Sequence, residues 1–365
     1  MPAKPRARRR TGPRRAWKLA LGAVFAVLLL AAAAQALLWE RVCGRLEEGF
    51  AAWAADRRAE GWTVAHGAPA RGGWPFVSTL AVPEPRLRAS AGAPPVEVEW
   101  RAEALALRVR PPRFDRLAVE VAGRHFLRVG GAALPFTAER LDVSLPVRDG
   151  AAPREASAEA RRLRFDTPAG AAEVGAVSLR FEAADGGPAP PGTAAAALRV
   201  TAVDAALPPG LPGTARLGRV VERVGSDLVL SGPVGPGGED AVRRARAWRD
   251  GGGALDIRGL EVRWGEAAAS ATGNLRLDDA LQPAGVGTLR VAGGEALLDA
   301  ARDAGLLAPF AATAARVALR ALGRTPPEGG PPRAELPLTV RNRSLGLGGV
   351  PLARLPALDW GAAGN

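Results

Sequence analysis

The chain has 365 residues, with 49 lysines and arginines against 37 acidic residues and a net charge of +12. Eight of the basic residues lie within 1–18, which contains no acid, so the remainder is nearly balanced and a basic nucleic-acid-binding module is excluded. One cysteine, Cys43, rules out an intrachain disulfide and a cysteine-based metal cluster, and reads as a packing residue.

Residues 1–18 form a basic tail. Leu19 to Trp39, LALGAVFAVLLLAAAAQALLW, are 21 residues interrupted only by Gln35. At about 1.5 Å per residue such a helix is about 31 Å long, close to a ~30 Å hydrocarbon core. Trp17 and Trp39 flank the run, where aromatic rings favour the membrane interface, and Lys18 is placed to snorkel. Ala34-Gln35-Ala36 fits a small-x-small cleavage site. The apolar run nevertheless continues through Leu37, Leu38 and Trp39, which predicts a retained single-span anchor at 19–39. The basic tail outweighs residues 40–60, where four arginines face five acids. The positive-inside rule then predicts a cytoplasmic N-terminus and a periplasmic main domain, with the tail drawn to anionic headgroups of the inner membrane.

Residues 40–60 keep helical spacing, with Trp39, Val42, Leu46, Phe50 and Trp53 in one stripe, and Gly61 ends the pattern. This predicts an amphipathic helix continuous with the anchor and packed on the β-rich domain. From residue 61 to 358 the period becomes two. Short alternating runs such as VEVEWRAEALALRVR, RLAVEVAG, HFLRVGG and ALDIRGLEVRWG are separated by Gly, Pro and Asp, as in hairpins. Helical interruptions are predicted at 214–226, at 239–250 and as a pair at 295–307 and 309–322, the last with Pro309 in its first turn and Gly323 as C-cap. The expected fold is mainly β (α+β). A single N-terminal transmembrane helix precedes a long curved or folded-over antiparallel sheet with a few helices. DGGPAPPG at 185–192 reads as a join between two halves, and 359–365 as a tail.

No catalytic constellation stands out. The two histidines, His66 and His125, lie in turn-like contexts without HExxH or GxSxG patterns and read as surface or edge residues. Asp278-Asp279 are adjacent, and neighbours in a strand point to opposite faces, so they make no acid/base dyad. No cofactor or metal is expected. Ala102, Ala104 and Ala106, taken as one face of a strand, leave room for an apolar groove.

LEEGFAAWAADRRAEGWTVAHGAPARGGWPFVSTLAVPEPRL resembles the opening of a bacterial envelope family known as domain of unknown function 2125, through Trp53, Gly61, Trp62, Gly73, Trp74, Pro75 and Phe76. AWRDGGGALDIRGLEVRWGEAAASATGNLRLD and LPLTVRNRSLGLGGVPLARLPAL resemble its second half and closing strand pair. RNRSLGLGGVPL departs from the usual Asp-Gly-type turn. The resemblance implies no activity. A broader likeness, to anchored envelope proteins with a folded-over sheet, implies an apolar groove that takes lipid acyl chains.

Gly73, Trp74, Pro75 and Phe76 are thus a groove or core motif. Pro75 cannot donate to a ladder and suits a strand start, and Trp74 and Phe76 share a face. The preferred reading makes them core beneath the amphipathic helix; the alternative puts them at the mouth of a groove. The functional expectation is a non-enzymatic protein of envelope maintenance that holds or passes lipid. An envelope scaffold is the alternative, and a periplasmic hydrolase the rival that lacks visible catalytic groups.

Overall fold

The structure is a computed structural model describing residues 13–89, 97–147, 154–167, 169–184, 193–233, 241–305, 307–325, 331–358 and 360, with the backbone alone for 13–20. The chain begins there with α1 (Pro13–Ala59), one unbroken helix of 47 residues. It is about 70 Å long at about 1.5 Å per residue. Its apolar part is long and apolar enough to cross a membrane, and none of the residues in that stretch is buried. The segments expected as anchor and as amphipathic helix are therefore one rod. The helix stops before Gly61, whose φ is +88°. Arg58 then donates to the Val64 carbonyl at 2.9 Å and turns the chain into the first strand.

Eighteen strands occur among the described residues. They are β1 (Trp62–Ala65), β2 (Ala70–Gly72), β3 (Ser78–Pro83), β4 (Arg86–Ala89), β5 (Val98–Arg110), β6 (Arg113–Val129), β7 (Ala132–Thr137), β8 (Arg140–Pro146) and β9 (Glu155–Thr167). Then come β10 (Gly170–Ala183), β11 (Ala194–Ala206), α2 (Thr214–Leu217), β12 (Val220–Ser231), α3 (Ala241–Asp250), β13 (Ala254–Trp264), β14 (Ala267–Leu277) and β15 (Pro283–Ala292). The chain closes with α4 (Gly294–Asp303), α5 (Pro309–Leu322), β16 (Arg333–Arg341), β17 (Ser344–Leu347) and β18 (Val350–Arg354).

Every pairing is antiparallel, and the order in the sheet follows the order in the chain. β1 with β2, β3 with β4, and β7 with β8 each make one row interrupted by a bend. From β9 to β18 each strand pairs with the one before and the one after. Among the described residues no pairing joins β1 or β2 to β18, so the sheet is an open meander rather than a barrel. Two-residue connections with positive φ fit the last hairpins: Asn342-Arg343 (52° and 60°) and Gly348-Gly349 (57° and 87°), the sign pattern that matches strand twist. The departure noted at RNRSLGLGG is thus still a tight hairpin pair.

Glu84, Gly123, Arg162 and Asp204 all have positive φ, in or beside β3, β6, β9 and β11. At Gly123 the β5–β6 register shifts by one residue, a bulge in β6, and bulges bend and further twist a strand. Gly123 shows why glycine is needed: a Cβ there would sit 2.7 Å from that of Glu103. The bulge also corrects the sequence reading of RLAVEVAG and HFLRVGG, which form one strand, β6, and not two.

The helix expected at 214–226 is reduced to α2, which Gly218 ends at φ 85°. Val220–Ser231 is instead β12, paired on both sides. Its valines are β-branched and fit a pleated surface, and two neighbouring ladders outweigh a helical spacing of four apolar residues. α3 and α5 fall within the predicted segments, and α4 starts one residue ahead of its own. The stretch 185–192 and, apart from Trp360, the tail 359–365 lie outside the described residues.

Among the described residues, α1 covers one end of the sheet and α4 and α5 the other, while α3 sits at the strand ends of β12 to β14, where Trp248 donates to the Ser231 carbonyl at 2.8 Å. At one end Phe50 of α1 packs with Leu80, Val82 and Leu107, flanked by Leu46, Leu105, Leu117 and Val119. The helix stripe that meets the sheet includes Cys43, Leu46, Phe50 and Ala54, while Trp53 stays 41% exposed at its margin. At the other end Ala315 of α5 packs with Ala334, Leu336 and Leu347, and Leu217 with Ala267 and Ala300.

Candidate functional site

One face of the sheet is apolar across nearly its whole width. Directly opposed residues carry a single transverse row from Leu80 through Leu107, Val119, Val143, Ala158 and Leu179. The row goes on through Val200, Ser226, Leu260, Ala271 and Leu289 to Leu336. Ser226 is its only polar member. The adjacent row on the same face runs Leu141, Ala160, Val177, Ala202, Val224, Val262, Ala269, Val291 and Ala334 without a polar residue. Period-two alternation produces this face, since each strand sends every second side chain to the same side.

The ends of the first row are fully buried, Leu80 and Leu336 both at 0% exposure, whereas Leu260 is 40% and Val224 45% exposed. Between α1 and the α4–α5 pair, no helix lies on this face among the described residues. The result is a trough. A cavity of about 350 Å³ lies within it, lined by Val200, Ala202, Val224, Leu260, Val262 and Leu289 with few polar neighbours. From β8 to β13 the uncovered rows extend about 24 Å at ~4.8 Å per strand.

The opposite face is charged. Glu159, Ser178, Thr201, Gly225, Glu261, Ser270, Arg290 and Glu335 form one opposed row there. Arg199 pairs with Asp227 at 2.6 Å, Arg290 with Glu335 at 3.1 Å, and Arg223 with Glu261. A cleft of about 670 Å³ opens on this side between β12 and β16. Its two carboxylates, Glu261 and Glu335, are the ones already held by arginines.

The Trp-Pro-Phe motif is not in the core. Trp74 is 51% and Phe76 77% exposed. The turn that carries them is drawn onto α1: Gln35 Nε2 donates to the Pro75 carbonyl at 2.6 Å and Trp39 Nε1 to the Gly72 carbonyl at 3.2 Å. Trp39 and Trp74 meet edge to face, with centroids 5.9 Å apart. Gly73, at φ 85°, permits the tight return, since a Cβ there would lie 2.3 Å from the Val77 carbonyl oxygen. Pinned in this way, both rings stay exposed on the turn that closes the β2–β3 hairpin. Trp17 and Lys18 lie in the first turns of α1, where only the backbone is described.

His125 likewise differs from expectation. It is mid-strand and 3% exposed, stacked on Phe136 at 4.6 Å, with Phe165 beyond. Neither ring nitrogen has a hydrogen-bond partner within the described chain, and burial pushes the imidazole below its ordinary value. His66 is half-buried, edge-on to Phe50 at 4.9 Å. Asp278 sits in the β14–β15 turn, where it accepts from the Gln282 backbone amide at 2.8 Å. Ala102 is separated from Ala104 and Ala106 by a bulge, and the trough face of β5 carries Leu105, Leu107 and Val109 instead. Burial raises the Cys43 thiol, consistent with a packing role.

Asp299 was not singled out by sequence. It is 8% exposed and bound by Arg216 and Arg316, with Arg302 at 3.6 Å, so one carboxylate latches α2, α4 and α5 together. Only the spacing of Asp299 and Arg302, one turn apart on a helix, hinted at it. No group of three or more metal-ligating side chains occurs among the described residues.

The family model described as "Uncharacterized protein conserved in bacteria (DUF2125)" matches residues 39–356. That range takes in every described strand, both helical caps and the Trp-Pro-Phe turn. No curated protein and no solved structure matches the chain.

Proposed function

From the premise that the chain belongs to the bacterial DUF2125 family, we propose a non-enzymatic, membrane-anchored envelope protein that holds lipid acyl chains in its apolar trough. The observation that carries this reading is the transverse apolar row, buried at Leu80 and Leu336 and open at Leu260. An uncovered apolar surface of this extent marks a binding site. A width of about 24 Å accommodates a chain long enough to fill one leaflet, about half of the ~30 Å hydrocarbon core. The source of such chains is adjacent, because α1 leads from the membrane directly onto the same face. The basic tail ahead of the span favours a cytoplasmic N-terminus and a periplasmic sheet. Pairing of Glu261 and Glu335 with arginines speaks against a hydrolase in the charged cleft, since the two carboxylates there are each taken up in an ion pair.

Face-selective photocrosslinking tests the proposal. A benzophenone amino acid at Leu260 or Val224 of the full-length protein, irradiated in cells, is expected to yield phospholipid adducts by mass spectrometry. The same probe at Ser270, on the charged face, is expected to yield none. Protein adducts alone at Leu260 would put the scaffold reading first, and equal lipid labelling of both faces would overturn a dedicated trough.

A further inference from the structure

The exposed aromatics that left the core lie beside a helix that is apolar enough to cross a membrane. Gln35, which holds the Pro75 carbonyl, precedes Trp39 by four residues, about 6 Å along the helix axis. The 73–77 turn is therefore pressed against the end of the apolar run, inside its last turn and not beyond it.

The neighbouring rows end at the same level. Ser78 opposes Val109, Arg110 opposes Arg113 across the next turn, and Arg116 opposes Pro146. Phe114 comes just after that turn and is 43% exposed, and Val147, whose amide donates to the Asp115 carbonyl at 2.8 Å, is 46% exposed. Trp74, Phe76, Phe114 and Val147 thus lie at one edge over about 14 Å, three strand spacings. Arg110, Arg113 and Arg116 are exposed between them. None of these arginines has an ion pair among the described residues, and Asp115 is the one acid in the turn.

We infer that this edge is seated in the membrane beside α1, with its aromatic side chains in the interface of an anionic leaflet and its arginines on lipid phosphates. The chemistry fits the partner: the amphipathic Trp74 ring favours the headgroup level, the phenyl rings of Phe76 and Phe114 favour the apolar layer beside it, and each basic residue near an anionic surface adds attraction. The occupant is the bilayer that α1 itself enters, since the turn is hydrogen-bonded to that helix within its apolar run. The inference rests on α1 crossing the membrane and is independent of lipid in the trough.

Spin labels on the full-length chain test it, in a Cys43→Ala background and in vesicles of phosphatidylethanolamine with phosphatidylglycerol. Labels are placed singly at Phe76→Cys and Phe114→Cys. References are Leu28→Cys within α1 and Gly131→Cys at the opposite ends of the rows. The expected result is that 76 and 114 are reached by oxygen and shielded from a water-soluble nickel chelate, as at 28 and unlike 131. Lipid-like behaviour at 28 with water-like behaviour at 76 and 114 would overturn the seated edge and leave the anchor standing. Water-like behaviour at 28 would overturn both. The triple variant Arg110→Gln, Arg113→Gln, Arg116→Gln is expected to move the label at 114 towards water in phosphatidylglycerol vesicles. In phosphatidylcholine vesicles it is expected to change nothing. No shift in either would remove the phosphate contacts from the proposal.

Discussion

Leu80, Leu260 and Leu336 are the same residue type in the same transverse row on the same face of one sheet. Two of them are fully buried and the third is 40% exposed. The strands make no distinction between them; the difference is whether a helix lies above. At one end Phe50 and Leu46 arrive on α1, and at the other Ala315, Ala318 and Leu319 arrive on α5. The middle receives neither. A sheet face is thus made apolar by local alternation, but becomes core only where a second layer closes over it.

That contrast predicts unequal costs for equal truncations. Leu80→Ala and Leu336→Ala are each expected to destabilise the protein by about 3 kcal/mol, the usual cost of a cavity at a buried leucine. Urea unfolding of the full-length chain in detergent would measure it. Leu260→Ala is expected to cost less than about 1 kcal/mol because its side chain already meets solvent. Equal losses at all three positions would mean that the trough is packed shut.

The two caps are also held differently, which a charge deletion can separate. Asp299→Ala is expected to cost about 2 kcal/mol, the scale of lost hydrogen bonds to a buried charged group, with the exposed Arg216 contributing little. Hydrogen exchange should then quicken in α4 and α5 and remain unchanged in β3 and β5 beneath α1. A uniform increase would show that the two ends unfold as one unit.

A smaller effect is expected from pH, at the buried His125. Its folded value lies below the ordinary 6.5 because burial disfavours the charged ring. Below 6.5 the unfolded chain binds a proton that the folded chain does not. Stability is therefore fully present above that value and falls as pH is lowered, until the folded value is reached. The slope is at most about 1.4 kcal/mol per pH unit for one proton. Unfolding midpoints between pH 7 and 5 would measure it, and His125→Phe should flatten the profile.

The smallest stability change is expected at the open centre. Leu260→Ser, like Leu260→Ala, should cost less than about 1 kcal/mol, since the side chain already meets solvent. Lipid recovered with the purified protein should nevertheless fall several-fold. Loss of folding without loss of lipid would reverse the comparison.

Much of the architecture was legible in particular residues. The run from Leu19 to Trp39 and the stripe through Leu46 and Phe50 announced one continuous helix, and alternation announced the strands. Leu217 to Val224 misled because four apolar residues, Leu217, Val220, Val221 and Val224, fit a helical period, and only pairing with β11 and β13 makes the valines a strand. Ala102, Ala104 and Ala106 misled because a bulge, invisible to a period of two, changes the face. Trp74 and Phe76 misled because large aromatics are usually buried, whereas here Gln35 and Trp39 hold their turn at the helix surface.

The sequence by itself determined the features that depend on neighbours along the chain. A long apolar run needs no partner to form a helix long and apolar enough to cross a membrane, and alternating side chains need only the strand conformation to make an apolar and a charged face. Tertiary structure alone decided which part of the apolar face is core and which is trough, where Asp299 finds its arginines, and that Trp74 and Phe76 stand at an edge. Those outcomes depend on contacts such as Gln35 with Pro75 and Asp299 with Arg216, separated by 40 and 83 residues. No local periodicity encodes such distances, because coverage of a surface is set by where the rest of the chain returns.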